Sequence, residues 1–296
     1  MADKDIYRKF CKKEDCLPIF MKDWWLDAVC GGDNWDVAIY MKDDEILGVL
    51  PFPFKKKLFF RNIIRPQLTP WLGPWLRHPN GQSESDKIKF EQKVHFSLLE
   101  KLPYFDWFNL DCQPEFKNWK AFYWKGFKQT TKYTSVLEKT CDEGDYFQGL
   151  EKITRKRIRK ATERYIISND YDFLSVKDFF RRPFERQGLK YGLTDEFLKD
   201  LFEICEKESC MEIFIAKNKA TGILEAVNFC IWDTKYYYLL LSGGNDLSRI
   251  NYANYLLTYS AIKSAWDRGL IFNFEGSMMS SIDSFMNSTM SIVCNY

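Results

Sequence analysis

The chain has 296 residues, 46% of them apolar and 28% charged, a balance that describes a packed globular protein and excludes a disordered one. Its formal charge is +2, so any nucleic-acid role has to come from a local patch rather than from bulk charge. No apolar run approaches the roughly 20 residues of a membrane-spanning helix.

The N-terminus, MADKDIYRKFCKKEDC, is charged and has no signal-peptide core. Nine cysteines without a CxxC spacing fit reduced thiols in a cytoplasmic protein. Only two histidines occur, which leaves no support for a metal site or a histidine-dependent triad. His78 belongs to a turn, and His95 shares helical spacing with Ile88, Glu91, Leu98 and Leu102, as a packed helix residue does.

In chain order, Pro18–Cys30 reads as a first helix, stopped by Gly31 and Gly32. Trp35–Met41 and Ile46–Phe52 form a hairpin around Lys42-Asp43-Asp44-Glu45, and Leu58–Ile64 is a third apolar run behind Lys55-Lys56-Lys57. Arg65-Pro66-Gln67-Leu68-Thr69-Pro70-Trp71-Leu72-Gly73-Pro74-Trp75-Leu76 cannot be regular, yet its tryptophans keep it from being a solvated linker. It is either a wall of a substrate site or a cover over a sheet edge. Ser83–Leu102 is helical, Phe105–Leu110 a strand, Phe116–Tyr123 a short helix and Lys128–Lys139 a strand. Thr140–Asp145 breaks the pattern and divides the chain into residues 1–140 and 146–296.

The second half opens with a helix over Tyr146–Tyr165. On it Lys152, Arg155, Lys156, Arg159 and Lys160 form a basic face: a solvated surface, or a site for phosphate or nucleic acid. A strand Asp172–Val176, helices Val176–Arg186 and Thr194–Lys207, and a strand from Met211 follow. Ile223–Trp232 and Tyr236–Leu241 then make a hairpin. Ser242-Gly243-Gly244-Asn245 makes a loop, about Ile250–Arg268 a helix, and Ile271–Phe274 a buried strand. That strand–loop–helix–strand unit implies a parallel pair, whose open strand ends are where an α/β sheet collects ligands.

With these pieces in place, the sequence resembles the FemABX-like branch of the GNAT acyltransferase superfamily. The residues carrying the resemblance are Trp24–Cys30, Leu68–Trp75, Arg155–Ala161, Tyr237–Leu239 through Ser242-Gly243-Gly244, and Phe272–Met278. It implies an α/β fold of tandem GNAT-like domains, each a mixed central sheet flanked by helices. It also implies transfer of an acyl or aminoacyl group from an acyl-thioester or aminoacyl-tRNA to an amine, such as that of a cell-envelope precursor or amino sugar. No tightly bound cofactor and no metal are expected; acyl-CoA or aminoacyl-tRNA enters as a co-substrate. Two departures count against full transfer. Ser242–Asn251 is not the glycine-rich pyrophosphate loop of acetyl-CoA enzymes, and Met286–Tyr296 does not match the end of related sequences. A catalytically inactive binding module of the same fold is the competing reading.

The site residues expected are these. Glu225 alternates with Ile223, Val227, Phe229 and Ile231, so burial would raise its pKa towards that of a general base; a solvent-facing edge residue is the plainer alternative. Glu275 emerges after a buried strand, at the sheet end shared with Ser242–Asn245, where it would orient an amine beside Ser277 or only cap a turn. Ser242, Gly243, Gly244 and Asn254 are the donor-binding candidates, and Arg65, Trp71 and Ser277 the substrate-binding ones. Lys152, Arg155 and Arg159 are the nucleic-acid candidates.

Overall fold

A computed structural model describes residues 3–57, 59–275, 287–289 and 292–295. The chain divides into two compact units, Met1–Lys132 with Asn295–Tyr296, and Tyr133–Cys294. Both are α/β, as expected.

The first unit opens with α1 (Asp3–Cys11), a helix not read from the sequence, then a 3-10 turn (Ile19–Met21) and α2 (Asp23–Cys30). Strands β1 (Trp35–Lys42) and β2 (Glu45–Pro53) pair antiparallel. Asp43 and Asp44 turn them with φ of 51° and 63°, the left-handed pair a two-residue hairpin requires. Next come β3 (Lys55–Lys57), β4 (Phe60–Ile64), β5 (Trp75–Leu76), α3 (Glu84–Glu100), β6 (Trp107–Asn109) and α4 (Lys120–Trp124). Two small sheets result, β1-β2-β5 and β3-β4-β6. The Ser83 side chain caps α3 by accepting from the Asp86 amide. From α3, Val94 and Leu98 pack on Ala38, Leu50 and Ile63 of the strands.

The second unit runs β7 (Tyr133–Leu137), α5 (Glu143–Gly149), α6 (Lys152–Arg164), β8 (Tyr165–Ser168), α7 (Phe173–Val176), a 3-10 turn (Lys177–Phe179), α8 (Arg182–Arg186) and α9 (Asp195–Lys207). It continues with β9 (Met211–Asn218), β10 (Leu224–Trp232), β11 (Tyr236–Gly244), α10 (Asp246–Ile250), α11 (Ala253–Asp267), β12 (Ile271–Asn273) and β13 (Ile292–Asn295). The strands make one sheet in the order β13-β7-β12-β11-β10-β9-β8. Helix α11 crosses between the parallel β11 and β12, and its Ala253, Ala261 and Ala265 bring it close to Ala226, Cys230, Tyr237 and Phe272.

Four expectations need correcting here. The division falls after Lys132, not at 140, because β7 hydrogen-bonds β12 and belongs to the second sheet. The helix expected over Tyr146–Tyr165 is two, α5 and α6. Residues Phe173–Val176 are helical rather than extended, since the Asp172 side chain caps them at the Ser175 amide. The helix expected from about Ile250 is broken at Tyr252, whose φ is 63°, so α11 begins only at Ala253.

Candidate active site

The site begins with unequal strand lengths. Strands β10 and β11 pair antiparallel from Ala226 opposite Gly244 down to Trp232 opposite Tyr237. On its other side β11 meets β12 only at Tyr236, Tyr237 and Tyr238, which face Ile271, Phe272 and Asn273. From Leu239 to Gly244, β11 therefore has no strand on that side among the described residues, an opened edge about 20 Å long at the rise of a strand. At the fork Asn273 is fully buried. Its Oδ1 accepts from Thr134 Oγ1 and from the Glu275 amide, each at 2.8 Å.

Glu275 is half-buried and adopts φ of 61°. The pairing of β12 with β11 ends at Asn273 opposite Tyr238, two residues before Glu275. Because β12 is parallel to β11 and stops opposite Tyr238, Glu275 leaves the sheet on the side towards which β11 continues to Gly244. Its charge contributes to the raised pKa of the Tyr238 phenol, after burial and Asp233. Ser277, expected beside it, lies outside the described residues, as do the amides it was expected to cap.

Glu225 is 1% exposed, which excludes the solvent-facing alternative. The register against β9 slips between Leu224 and Ala226, so Glu225 sits on a bulge and leaves the alternation with Val227 and Phe229 that the sequence implied. Its Oε2 accepts from the Tyr165 hydroxyl at 2.5 Å and its Oε1 from Asn218 Nδ2 at 2.9 Å. Its carbonyl takes the Asn245 amide at 2.9 Å. Burial, and next the bond to Glu225, hold the Tyr165 phenol well above its ordinary pKa. The carboxylate is thus fixed by Tyr165 and Asn218, and the backbone of Glu225 is tied to Asn245 in the connection from β11 to α10.

That connection is not an open loop. Ser242, Gly243 and Gly244 are strand residues of β11, held by β10. A Cβ on Gly243 would run into the Phe179 carbonyl, and one on Gly244 into Ser248 Oγ. The Gly244 carbonyl accepts from Arg186 at 2.8 Å. Both glycines serve close backbone packing. Ser242 and Asn254 do come together: Asn254 Nδ2 donates to Ser242 Oγ at 3.2 Å, and Ser242 Oγ donates to Asn228 Oδ1 at 2.8 Å. No capping side chain closes the first turn of α11.

The basic helix divides by function. Arg155 donates to the Leu150 carbonyl at 2.7 Å and to the Gln148 carbonyl, closing the end of α5. Arg159 lies over Phe147, 5.3 Å from the ring centre. Lys152 is exposed. Arg157, which the sequence reading passed over, donates to the Tyr255 hydroxyl at 2.6 Å and lies over the rings of Tyr252 and Tyr255. The signal for it was the Tyr252/Tyr255 pair at helical spacing, an aromatic seat that favours Arg.

In the first unit the guanidinium of Arg65 is held by Asp111 at 2.8 Å and by the Thr69 carbonyl at 2.5 Å. Trp71 is 2% exposed and packs edge-on against Phe20 at 5.8 Å, so it is a core residue and not an open substrate wall. Trp75 and Leu76 pair with Val49 and Gly48 of β2, which is the edge-covering role.

Residues 150–276 match the family model described as the acetyltransferase (GNAT) domain. No curated protein matches the chain in sequence. Among solved structures, the chain is similar to FemX at 13% identity and a TM-score of 0.67, over 99% of this chain and 94% of that one. It is similar to L-PGS from Bacillus licheniformis at 10% identity and TM-score 0.55, over 99% and 90%. A conserved protein of unknown function from Bacteroides thetaiotaomicron stands at 13% and 0.54, over 99% and 95%. Identities this low speak for the fold alone. The opened edge beside β11 and the crossover helix behind it fall within the stretch that matches the acetyltransferase (GNAT) domain, residues 150–276, and the chain as a whole is similar in fold to FemX.

Proposed function

We propose that the chain is an N-acyltransferase that moves an acyl or aminoacyl group from a thioester or an aminoacyl-tRNA to an amine. The observation that carries this reading is the edge of β11 that, among the described residues, has no partner strand on the β12 side from Leu239 to Gly244. Backbone N–H groups along such an edge are preorganised donors for a carbonyl oxygen that gains negative charge. In the step proposed, the amine nitrogen attacks the carbonyl carbon. The C–S or C–O bond to the donor breaks, and the proton lost by nitrogen reaches the leaving sulfur or oxygen by way of a carboxylate. Glu275, beside the fork, orients the amine and takes that proton. Glu225, with both oxygens already accepting hydrogen bonds, is the second candidate base. Ser242 and Asn254, joined to each other, and the uncapped first turn of α11 would face the donor's phosphates. An amino sugar or cell-envelope precursor is the acceptor class proposed, on the resemblance and on the fold shared with FemX.

The test is transfer of label from acyl-CoA and from aminoacyl-tRNA to a panel of amines. Glu275→Gln should lower kcat by about a hundredfold, within the range for general acid–base groups, with little change in acceptor KM. Full activity in this variant would remove Glu275 from the chemistry. One observation favours a catalytically silent binding module: Gly243 and Gly244 are packed against Phe179 and Ser248, not exposed as a phosphate cradle. No transfer to any amine, together with tight binding of an acceptor in the absence of donor, would establish that alternative.

A further inference from the structure

We propose that the β3–β4 hairpin of the first unit is a membrane-surface anchor that inserts aromatic side chains into a bilayer rich in anionic lipid. The inference is independent of the acyl-transfer reading and uses no residue of the second unit.

The hairpin has the wrong chemistry for a free turn. Lys57 pairs with Phe60, which leaves two residues between the strands, and the second of them is Phe59. Such positions normally hold Gly, Asn or Asp. Here Phe59 is 92% exposed and Phe60 64% exposed. The register continues the pattern across the sheet. Asn62 lies opposite both Lys55 and Trp107, so Phe60, Asn62 and Ile64 share one face with Lys55 and Trp107. On that face Trp107 is 60% exposed and Ile64 is also open to solvent, while Ile63 on the opposite face is buried against Val94 and Leu98. A face left uncovered among the described residues and carrying three large apolar side chains, with Phe59 as a fourth beside it, marks an interaction surface.

Charge selects the partner. From Ile46 to Ser83 the chain contains no Asp or Glu, and Lys55, Lys56, Lys57 and Arg61 stand within the hairpin itself. Arg65 and Arg77 are taken by Asp111, Glu14 and Glu45. Among the described residues neither Lys55 nor Arg61 makes an ion pair; Arg61 lies over the Tyr104 ring, and the nearby Asp106 accepts from the Arg61 amide. A hairpin with exposed Phe59 and Phe60 in a stretch of basic sequence suits the headgroup boundary of an anionic bilayer. Aromatic rings settle at the acyl interface there, and each cation near the surface is worth about fivefold in partition.

The full-length protein should be sedimented with vesicles of phosphatidylglycerol mixed into phosphatidylcholine, and with vesicles of phosphatidylcholine alone. Binding should favour the anionic vesicles by about tenfold or more and weaken as salt is added. Phe59→Ser with Phe60→Ser, and separately Lys55→Glu with Lys56→Glu, should each reduce it by about tenfold or more while leaving the thermal melt in place. A Phe59→Trp variant should be quenched by brominated acyl chains on binding. Equal binding to neutral vesicles, no binding, or binding unaffected by the phenylalanine pair would overturn the proposal. So would self-association in light scattering that the phenylalanine pair abolishes without any vesicle binding, which would make this face a contact between copies.

Discussion

At the scale of single residues, burial decides the outcome. His95 is 2% exposed, with Phe116 and Phe122 edge-on at 5.1 and 5.9 Å. Burial, opposed by Glu91, brings its pKa from 6.5 down to about 4. The folded form therefore binds a proton less readily than the unfolded chain. The stability this gives is complete above about pH 6.5 and is lost as pH falls towards about 4, a change of roughly 3 kcal/mol for this group. Urea midpoints across that window should fall with pH in the wild type and fall less in His95→Phe; equal slopes would show that another group governs acid sensitivity. Gly243 is the second case. A methyl group there meets the Phe179 carbonyl, a backbone atom that cannot rotate away. Gly243→Ala should cost about 1–3 kcal/mol, read as a drop in melting temperature before any effect on activity. Helical spacing correctly marked His95 as packed. Trp71 was half legible: composition said it was ordered, but only the fold shows that Phe20 covers it.

At the scale of elements, α6 separates charge that holds the fold from charge that is free. Arg155 ends α5 by bonding two carbonyls. Arg155→Met should therefore cost about 1–3 kcal/mol, as charged hydrogen bonds do, and a melt should show it. Lys152 and Lys156 are exposed. If aminoacyl-tRNA is the donor, Lys152→Glu with Lys156→Glu should weaken tRNA binding and flatten its dependence on salt, with no change in melt. A CoA-dependent reaction should be indifferent to the same pair, and tRNA affinity that ignores both salt and the pair would exclude this helix from donor binding. The sequence made the helix and its basic stripe readable through the period of Ile158, Ala161 and Tyr165, all in the core. The break at Leu150 left no such mark. The same limit applies around the site. Hairpin β10–β11 was legible from its strand formers, but the bulge at Glu225 is set by pairing with β9, and period-2 reading assumes an unbroken ladder. Gly243-Gly244 reads as a turn by composition, yet pairing with Val227 and Ala226 overrides that preference. Tyr252 at positive φ carries no sequence signal, because a tyrosine there is held by tertiary contacts alone.

At the scale of the whole molecule, the position of β7 decides where the chain can be divided. Composition placed the boundary at Thr140–Asp145, where polar residues interrupt the pattern. The sheet places it after Lys132, because Val136 and Leu137 pair with Asn273 and Phe272. Thr134, Ser135, Val136 and Leu137 are all buried. Thr134 Oγ1 satisfies Asn273 at the fork, and the Phe274 amide donates to the Ser135 carbonyl at 3.0 Å. A fragment that begins at Asp142 would remove the strand between β13 and β12. It would leave Asn273 Oδ1 short of a donor and expose Phe272 and Phe274, at a cost of several kcal/mol from the lost burial alone. A fragment that begins at Tyr133 keeps these contacts. Expressed side by side, the Tyr133 fragment should be soluble and melt cooperatively, and the Asp142 fragment should aggregate or melt without a sharp transition. The fork also sets the position of Glu275, through the Asn273 side chain that receives its amide. Thr134→Val in the full chain should therefore lower acyl transfer more than it lowers the melting temperature. Equal behaviour of the two fragments, together with unchanged transfer in Thr134→Val, would mean that β7 is dispensable and that the fork is held by the other strands.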